Sequence, residues 1–284
     1  MAPRRRKLKD LAADPRFISG IYNYCDRWCE RCPATARCLV YAANEDEDQA
    51  DRASRDISNQ AFWRRIEGML REAEEMLREM MQEHGIELSA ADLEAEQARE
   101  QRLHDDVQRH PCTIAAADYG DAVSAWFDRA APRLQARHEA LAAQRRLELP
   151  GADPEGEAHR LNDATEVVRW YQYQIGVKIM RALGSALQAE EEPEAQAGPR
   201  DADGSAKVAL LGIDRSVVAW SEVLRQVPEE EDELLPLLAG LSRLRREVEA
   251  GFPAARGFLR PGFDTGELDG AAQPLTPAEG RPSA

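Results

Sequence analysis

Residues 166–183 read EVVRWYQYQIGVKIMRAL, and residues 203–220 read DGSAKVALLGIDRSVVAW. In both stretches, apolar side chains would cover most of the circumference of a helix rather than a single stripe. A helix of this kind is buried on several sides. We therefore expect helices over 162–187 and 205–227 to lie at the centre of a helical bundle, with the rest of the chain packed around them.

The flanking segments show amphipathic helical periodicity. Between residues 63 and 80, apolar positions recur at alternating spacings of three and four, which keeps one seam of a helix against a partner helix. Further amphipathic helices are expected over 89–109, 119–141 and 229–248. The sequence thus predicts an all-α protein built as a bundle of about six helices. The seam residues are Trp63, Ile66, Leu70, Ala73, Leu77 and Met80.

The composition agrees with a helical chain. The 284 residues are 43% hydrophobic, 31% charged and only 6% aromatic, which excludes a wholly disordered chain and an all-β fold. The net charge of −15 argues against nucleic acid as a ligand, because such a field repels phosphates. The sequence contains no apolar run of membrane-spanning length and no signal core after its basic start, so we expect a cytoplasmic protein without membrane contact.

Stretches rich in Pro and Gly divide the helical chain, because these residues interrupt helices. Flexible breaks are expected near 149–157 and 190–204. The expected organisation is a basic disordered tail over 1–16, a four-cysteine metal-binding segment over 17–42, a helical bundle over 56–250 and a mostly disordered tail over 251–284.

Four of the five cysteines lie in the stretch YCDRWCERCPATARC, residues 24–38, with the spacing C-x3-C-x2-C-x5-C. In a reducing compartment, thiols concentrated in this way are metal ligands far more often than disulfides. Free cysteines also pack in apolar cores, but the residues between these cysteines are largely charged. The sequence therefore predicts a metal site formed by Cys25, Cys29, Cys32 and Cys38.

Two cofactors remain open for this site. On a continuous helix, Cys25 and Cys32 would stand about 10 Å apart along the axis. A single zinc ion needs its sulfurs about 4 Å apart, so zinc would require a break in the backbone between the ligands. Contiguous loops commonly wrap the larger iron–sulfur cubane, and Pro33 disfavours helical conformation at Cys32. We expect a 4Fe–4S cluster, with one zinc ion as the alternative.

The cysteine stretch resembles known motifs. From Cys29 to Cys38, the pattern C-x2-C-P-x4-C is similar to the iron–sulfur loop of helix-hairpin-helix DNA glycosylases. The first spacing is x3 where that family has x6, so neither its fold nor its activity is implied. The spacing C-x3-C-x2-C also resembles the radical S-adenosylmethionine motif, but the fourth cysteine and the helical chain depart from that class.

A wider resemblance joins three segments of the chain. The stretch FISGIYNYCDRWCERCPATARC and the two helical stretches quoted first together look like a bacterial family of hypothetical proteins with no assigned activity. This resemblance covers about three quarters of the chain. It implies one coherent fold and adds no function.

No enzyme class is indicated, because the chain has no Gly-rich phosphate loop, nucleophile elbow or His-Glu-x-x-His motif. Whether the protein is an enzyme stays open. Four thiolates would leave no open position on a cluster, which favours electron transfer or redox sensing. The alternative is a zinc-stapled interaction module whose helical seam binds another protein or a second copy of the chain.

Charged residues interrupt the two central helices. A buried charge must pair, reach water or hold a ligand, and structural ion pairs are the simplest outcome. The functional alternative is a polar pocket that holds an anion between the two helices. Its candidate residues are Glu166, Arg169, Lys178, Asp214 and Arg215.

Overall fold

The computed structural model describes residues 11–45, 60–86, 89–148, 150–191 and 198–265. These residues are helical and contain no strand, which confirms the all-α class. Residues 1–10 and 266–284 of the predicted tails lie outside the described residues. Seven α-helices lie wholly within these ranges: α1 (Leu39–Glu45), α2 (Gln60–His84), α3 (Ala90–Arg109), α4 (Pro111–Leu147), α5 (Pro154–Glu191), α6 (Gly198–Gln226) and α7 (Glu231–Gly251).

The described chain separates into two compact units. The smaller one, here called the cysteine unit, combines residues 11–45 with residues 259–265. The larger one, here called the helical unit, contains the described residues between 60 and 258. The cysteine unit is thus assembled from segments near the two ends of the chain.

Helices α4 to α7 form a four-helix bundle. Each helix packs against the next one in the chain, and α7 returns to pack against α4, so that the four close around one core. The most extensive contact joins α5 and α6, as expected from their apolar circumference. Helix α3 packs against α4 and α5. None of the described helices combines the length and the apolar character needed to cross a bilayer.

Two tryptophans lie at the centre of the bundle. The rings of Trp126 on α4 and Trp220 on α6 meet edge to face, with their centroids 4.8 Å apart. Trp220 Nε1 donates to the Tyr119 hydroxyl at 3.0 Å, and Trp126 Nε1 donates to Glu230 Oε2 at 2.9 Å. Burial raises the pKa of Tyr119 to about 12, so its hydroxyl stays protonated at neutral pH. Both indoles therefore have the hydrogen-bond acceptors that buried tryptophans need.

Helix α6 begins earlier than the sequence predicts. Residues 198–204 are helical, so the flexible break predicted over 190–204 is wrong for this part; residues 192–197 lie outside the described residues. The reason is a contact across to α5. Asp201 accepts hydrogen bonds from Arg181 Nη2 at 2.6 Å and from Ser185 Oγ at 2.7 Å, which holds the first turns of α6 in place. The other predicted break, over 149–157, includes the turn between α4 and α5, but its residues 154–157 already belong to α5.

Residues 251–265, the described part of the predicted C-terminal tail, pack within the two units. Phe252 and Ala255, which follow α7, are buried in the helical unit. Residues 259–265 belong to the cysteine unit. Near the N-terminus, Arg16 forms an ion pair with Asp14 at 2.8 Å. Apolar side chains in the first part of the C-terminal stretch therefore find partners despite its Pro and Gly content.

Gly212 allows α5 and α6 to approach closely. A Cβ atom at this position would lie 2.9 Å from Tyr171 Cδ1 and 3.1 Å from Ile175 Cγ1. Both of these side chains are almost fully buried and have little room to move. Any larger residue at position 212 would therefore push the two central helices apart.

We predict that Gly212→Ala lowers the free energy of unfolding by about 1–3 kcal/mol through overpacking. The matched control is Gly240→Ala on α7, where a Cβ would meet no atom within 4 Å. That change is expected to raise the free energy of unfolding by about 0.5–1 kcal/mol, because alanine is the better helix former. Urea unfolding of both variants measures the difference. Equal effects would show that the close approach does not constrain the fold.

Candidate metal centre

The cysteine segment is not a continuous helix. Three short 3-10 turns, Ile21–Asn23, Cys29–Arg31 and Thr35–Arg37, are separated by bends. Cys25 follows the first turn, Cys29 opens the second, Cys32 follows it, and Cys38 follows the third. The distance argument against a single zinc ion assumed a continuous helix, so it does not apply to this backbone.

A local reversal between Cys25 and Cys29 produces the first break. Arg27 has a left-handed backbone with φ of 61°, which is uncommon for a residue other than glycine. The Trp28 N–H donates to Asp26 Oδ1 at 3.2 Å, and the Cys29 N–H donates to the Arg27 carbonyl at 3.0 Å. The aspartate side chain therefore stabilises the turn that brings Cys29 back toward Cys25.

The second break follows the C-x2-C turn. The Cys32 N–H donates to the Cys29 carbonyl at 3.2 Å, after which Cys32 is extended, as expected before Pro33. The Ala34 N–H donates to Cys32 Sγ at 3.4 Å. Hydrogen bonds of this kind stabilise thiolate charge at metal centres and tune the potentials of iron–sulfur clusters.

All four cysteines line a single small cavity of about 20 Å³, with space for one or two water-sized groups. The five cysteines of the chain are all free thiols, and Cys29 is the exposed one of these four. Asp26 and Arg27 are the charged residues at the cavity wall. The other lining residues are mostly apolar or aromatic: Ile21, Tyr22, Trp28, Ala34, Thr35, Tyr41 and Phe263.

The thiols influence each other's ionisation. Burial raises the pKa of Cys29, and the other three cysteines raise it further. Burial also raises the pKa of Cys32, with Cys25 and Cys38 adding to the effect and the Ala34 N–H opposing it. The four sulfurs thus lie within electrostatic reach of one another, and a bound cation would relieve this repulsion.

The thiols surround the cavity without closing on a point at its centre. Among the residues that the structure describes, no three His, Cys, Asp or Glu side chains are gathered as they would be around a metal ion. The four cysteines fit a metal cofactor by their chemistry and by their shared cavity.

Phe263, from the C-terminal segment of the cysteine unit, also lines the cavity of the four cysteines. Ile18, Ile21 and Ala34 form the buried core of the cysteine unit, and Phe263 packs against it together with Cys32 and Cys38. No motif links Phe263 to the cysteines, and it lies in the stretch over 251–284 that the sequence predicts to be mostly disordered. Its only sequence signal is an aromatic side chain in an otherwise Pro- and Gly-rich stretch.

Only two of the five candidate residues of the anion pocket line a common surface in the structure. Of its five candidate residues, Asp214 and Arg215 border a surface groove of about 640 Å³ between α5 and α6. Asp214 accepts a hydrogen bond from Arg256 Nη1 at 2.6 Å, and Arg215 contacts the Tyr171 hydroxyl. Both charged groups thus have partners within the protein.

The other three candidates do not line this groove. The Arg169 guanidinium lies over the Phe127 ring, 3.7 Å from its centroid, while Lys178 is buried and Glu166 is exposed. The structure therefore brings together two of the five residues. Cation–π contact and ion pairing account for the charged groups whose partners are seen.

No protein family model, curated protein or solved structure matches this chain. The chemistry of the cysteine unit is therefore argued from its own geometry.

We predict that Gly262→Ala opens the wall of the cavity. Gly262 has φ of +77°, and a Cβ there would lie 2.6 Å from Ile21 Cδ1, so the substitution combines backbone strain with a clash. In metal-free reduced protein, alkylation of Cys32 and Cys38 should become about tenfold faster, as measured by mass spectrometry. Gly257→Ala, where a Cβ meets no atom within 4 Å, is the control. Unchanged labelling in Gly262→Ala would contradict the supporting role of Phe263.

Proposed function

We propose that the cysteine unit binds a 4Fe–4S cluster through Cys25, Cys29, Cys32 and Cys38, and that it serves electron transfer or redox sensing. The observation that carries this proposal is the single cavity that all four thiols line. Four thiolate ligands occupy every iron of a cubane. The proposed role therefore involves no substrate bound to metal.

The position of all four cysteines in one short stretch of chain supports the larger cofactor. Contiguous loops commonly wrap a cubane, whose cysteine sulfurs stand at the corners of a wider tetrahedron than those around zinc, and the cavity of about 20 Å³ would have to widen to hold it. Trp28, Tyr41 and Phe263 limit the access of water, and Arg27 would offset part of the negative charge of the ligands.

When bound, a cluster would accept and release single electrons. The chain's own groups would set how readily it does so. The Ala34 N–H would stabilise negative charge on Cys32 Sγ, and exposed Cys29 marks the edge that a redox partner could approach.

A zinc-stapled interaction module is the second candidate. The observation that favours it is the broken backbone, because turns between the ligands are what zinc requires. Zinc would then hold residues 11–45 in their fold without a redox function, and a helical surface would bind another protein.

We also propose that the protein resides in the cytoplasm. All five cysteines are free thiols, and ligands of either metal must stay reduced. A reducing compartment meets this requirement.

The test is anaerobic purification of the full chain, followed by metal and sulfide analysis. We expect brown protein that absorbs at about 400 nm and contains about four iron and four sulfide per chain. Serine substitution of Cys32 should abolish the absorption. The matched control is Cys112→Ser, because Cys112 is a buried thiol of the helical unit.

The remaining outcomes are distinct. Colourless protein with one zinc per chain, lost in Cys32→Ser but kept in Cys112→Ser, would reject the cluster and support the zinc-stapled module. Protein without either metal after reconstitution would reject both proposals.

A further inference from the structure

Helix α2 presents a large apolar surface to solvent. Each α2 side chain that the structure describes is exposed or half-exposed. On the seam, the exposed fraction is 55% for Trp63, 67% for Leu70 and 52% for Leu77. An apolar stripe of this length on a soluble helix marks a surface that is covered in the functional state.

The spacing of the stripe identifies the kind of surface that covers it. Apolar residues from Trp63 to Met80 alternate at spacings of three and four, which is the repeat of two helices packed as a coiled coil. Met69 and Met76 widen the stripe on one side and are also exposed. The helix carries six Glu and four Arg, a balance that opposes binding to anionic lipid.

We propose that α2 is a self-association surface, and that it pairs in antiparallel orientation with α2 of a second copy of the chain. The proposal does not depend on the identity of the bound metal. A second copy is the expected partner because the seam side chains of α2 match one another in size, and its flanking charges are opposite in sign, when the helix is paired with its own reversed sequence.

The sizes match in the antiparallel register. Trp63 would face Met80 of the second copy, and Ile66 would face its Leu77. Leu70 would face Ala73, the smallest residue of the seam, so that every layer contains at least one large side chain. A parallel pair would place Ala73 against Ala73 and leave a gap at the centre of the interface.

The charges favour the same orientation. Glu67, Arg71, Glu74 and Arg78 form an alternating row along one flank of the seam, with ion pairs of 2.9 Å between the first two and 2.6 Å between the last two. In the antiparallel pair, Glu67 would lie near Arg78 of the second copy, and Arg71 near its Glu74. In a parallel pair, this row would instead face the opposite flank of the second helix, which carries Met69 and Met76, and would find no matching row of charges there.

Sedimentation velocity of the full chain over a range of concentrations tests the self-association. We expect a reversible dimer that Leu70→Glu weakens about 100-fold or more, because each dimer would bury two carboxylates. The matched control is Gln82→Glu, which adds the same charge on the exposed opposite face of α2 and should leave the dimer unchanged. Circular dichroism checks that both variants remain helical.

Photo-cross-linking tests the orientation without added cysteines. A benzophenone side chain in place of Trp63 should cross-link to residues near Met80 in the antiparallel dimer, and to residues near position 63 in a parallel one. Within one helix these positions are about 25 Å apart, so a cross-link between them joins two chains.

Three results of these experiments would directly overturn the proposal, and a fourth concerns other occupants of the surface. These are a chain that stays monomeric at all concentrations, a dimer insensitive to Leu70→Glu, and a cross-link between two copies of position 63. A monomer that binds anionic vesicles or a different protein through Leu70 would also overturn it, because the surface would then have another occupant.

Discussion

The close contact of α5 and α6 at Gly212 is the constraint on which the helical unit depends. Because no side chain separates the helices there, Tyr171 and Ile175 can reach across the contact. A second contact between the same two helices, from Arg181 on α5 to Asp201 on α6, holds the first turns of α6 in place. Helices α4 and α7 then close the bundle around Trp220. Most of the apolar side chains that surround α5 and α6 in the sequence are thus buried against several neighbouring helices at once.

The cysteine unit is held by different means. Its buried core consists of Ile18, Ile21 and Ala34, which is too small to stabilise a fold by burial alone. Hydrogen bonds within turns place the four thiols, and burial raises the pKa of Cys29 and Cys32, with repulsion among the thiols adding to the effect. A cation bound at this site would turn that repulsion into attraction. If the proposed metal binds here, its binding would be coupled to the folding of this unit.

Helix α2 differs from the central helices α5 and α6 in the pattern and the burial of its apolar residues. Its apolar residues follow one stripe and remain exposed, whereas those of α5 and α6 surround the helix and are buried. The pattern of apolar spacing therefore distinguishes a helix whose apolar residues are buried within the chain from a helix whose apolar stripe stays exposed. The candidate metal site and the helical stripe lie in separate units, so each proposal can be tested without the other.

The sequence by itself determined the all-α class, the central place of α5 and α6 and the four cysteines as a candidate site, because periodicity and spacing are local properties of the chain. Only the tertiary structure decided the rest. It showed that Phe263 joins the cysteine wall and that Asp214 pairs with Arg256 rather than completing a five-residue pocket. These contacts join residues far apart in sequence, and their formation depends on how whole helices and turns pack, which no local pattern encodes.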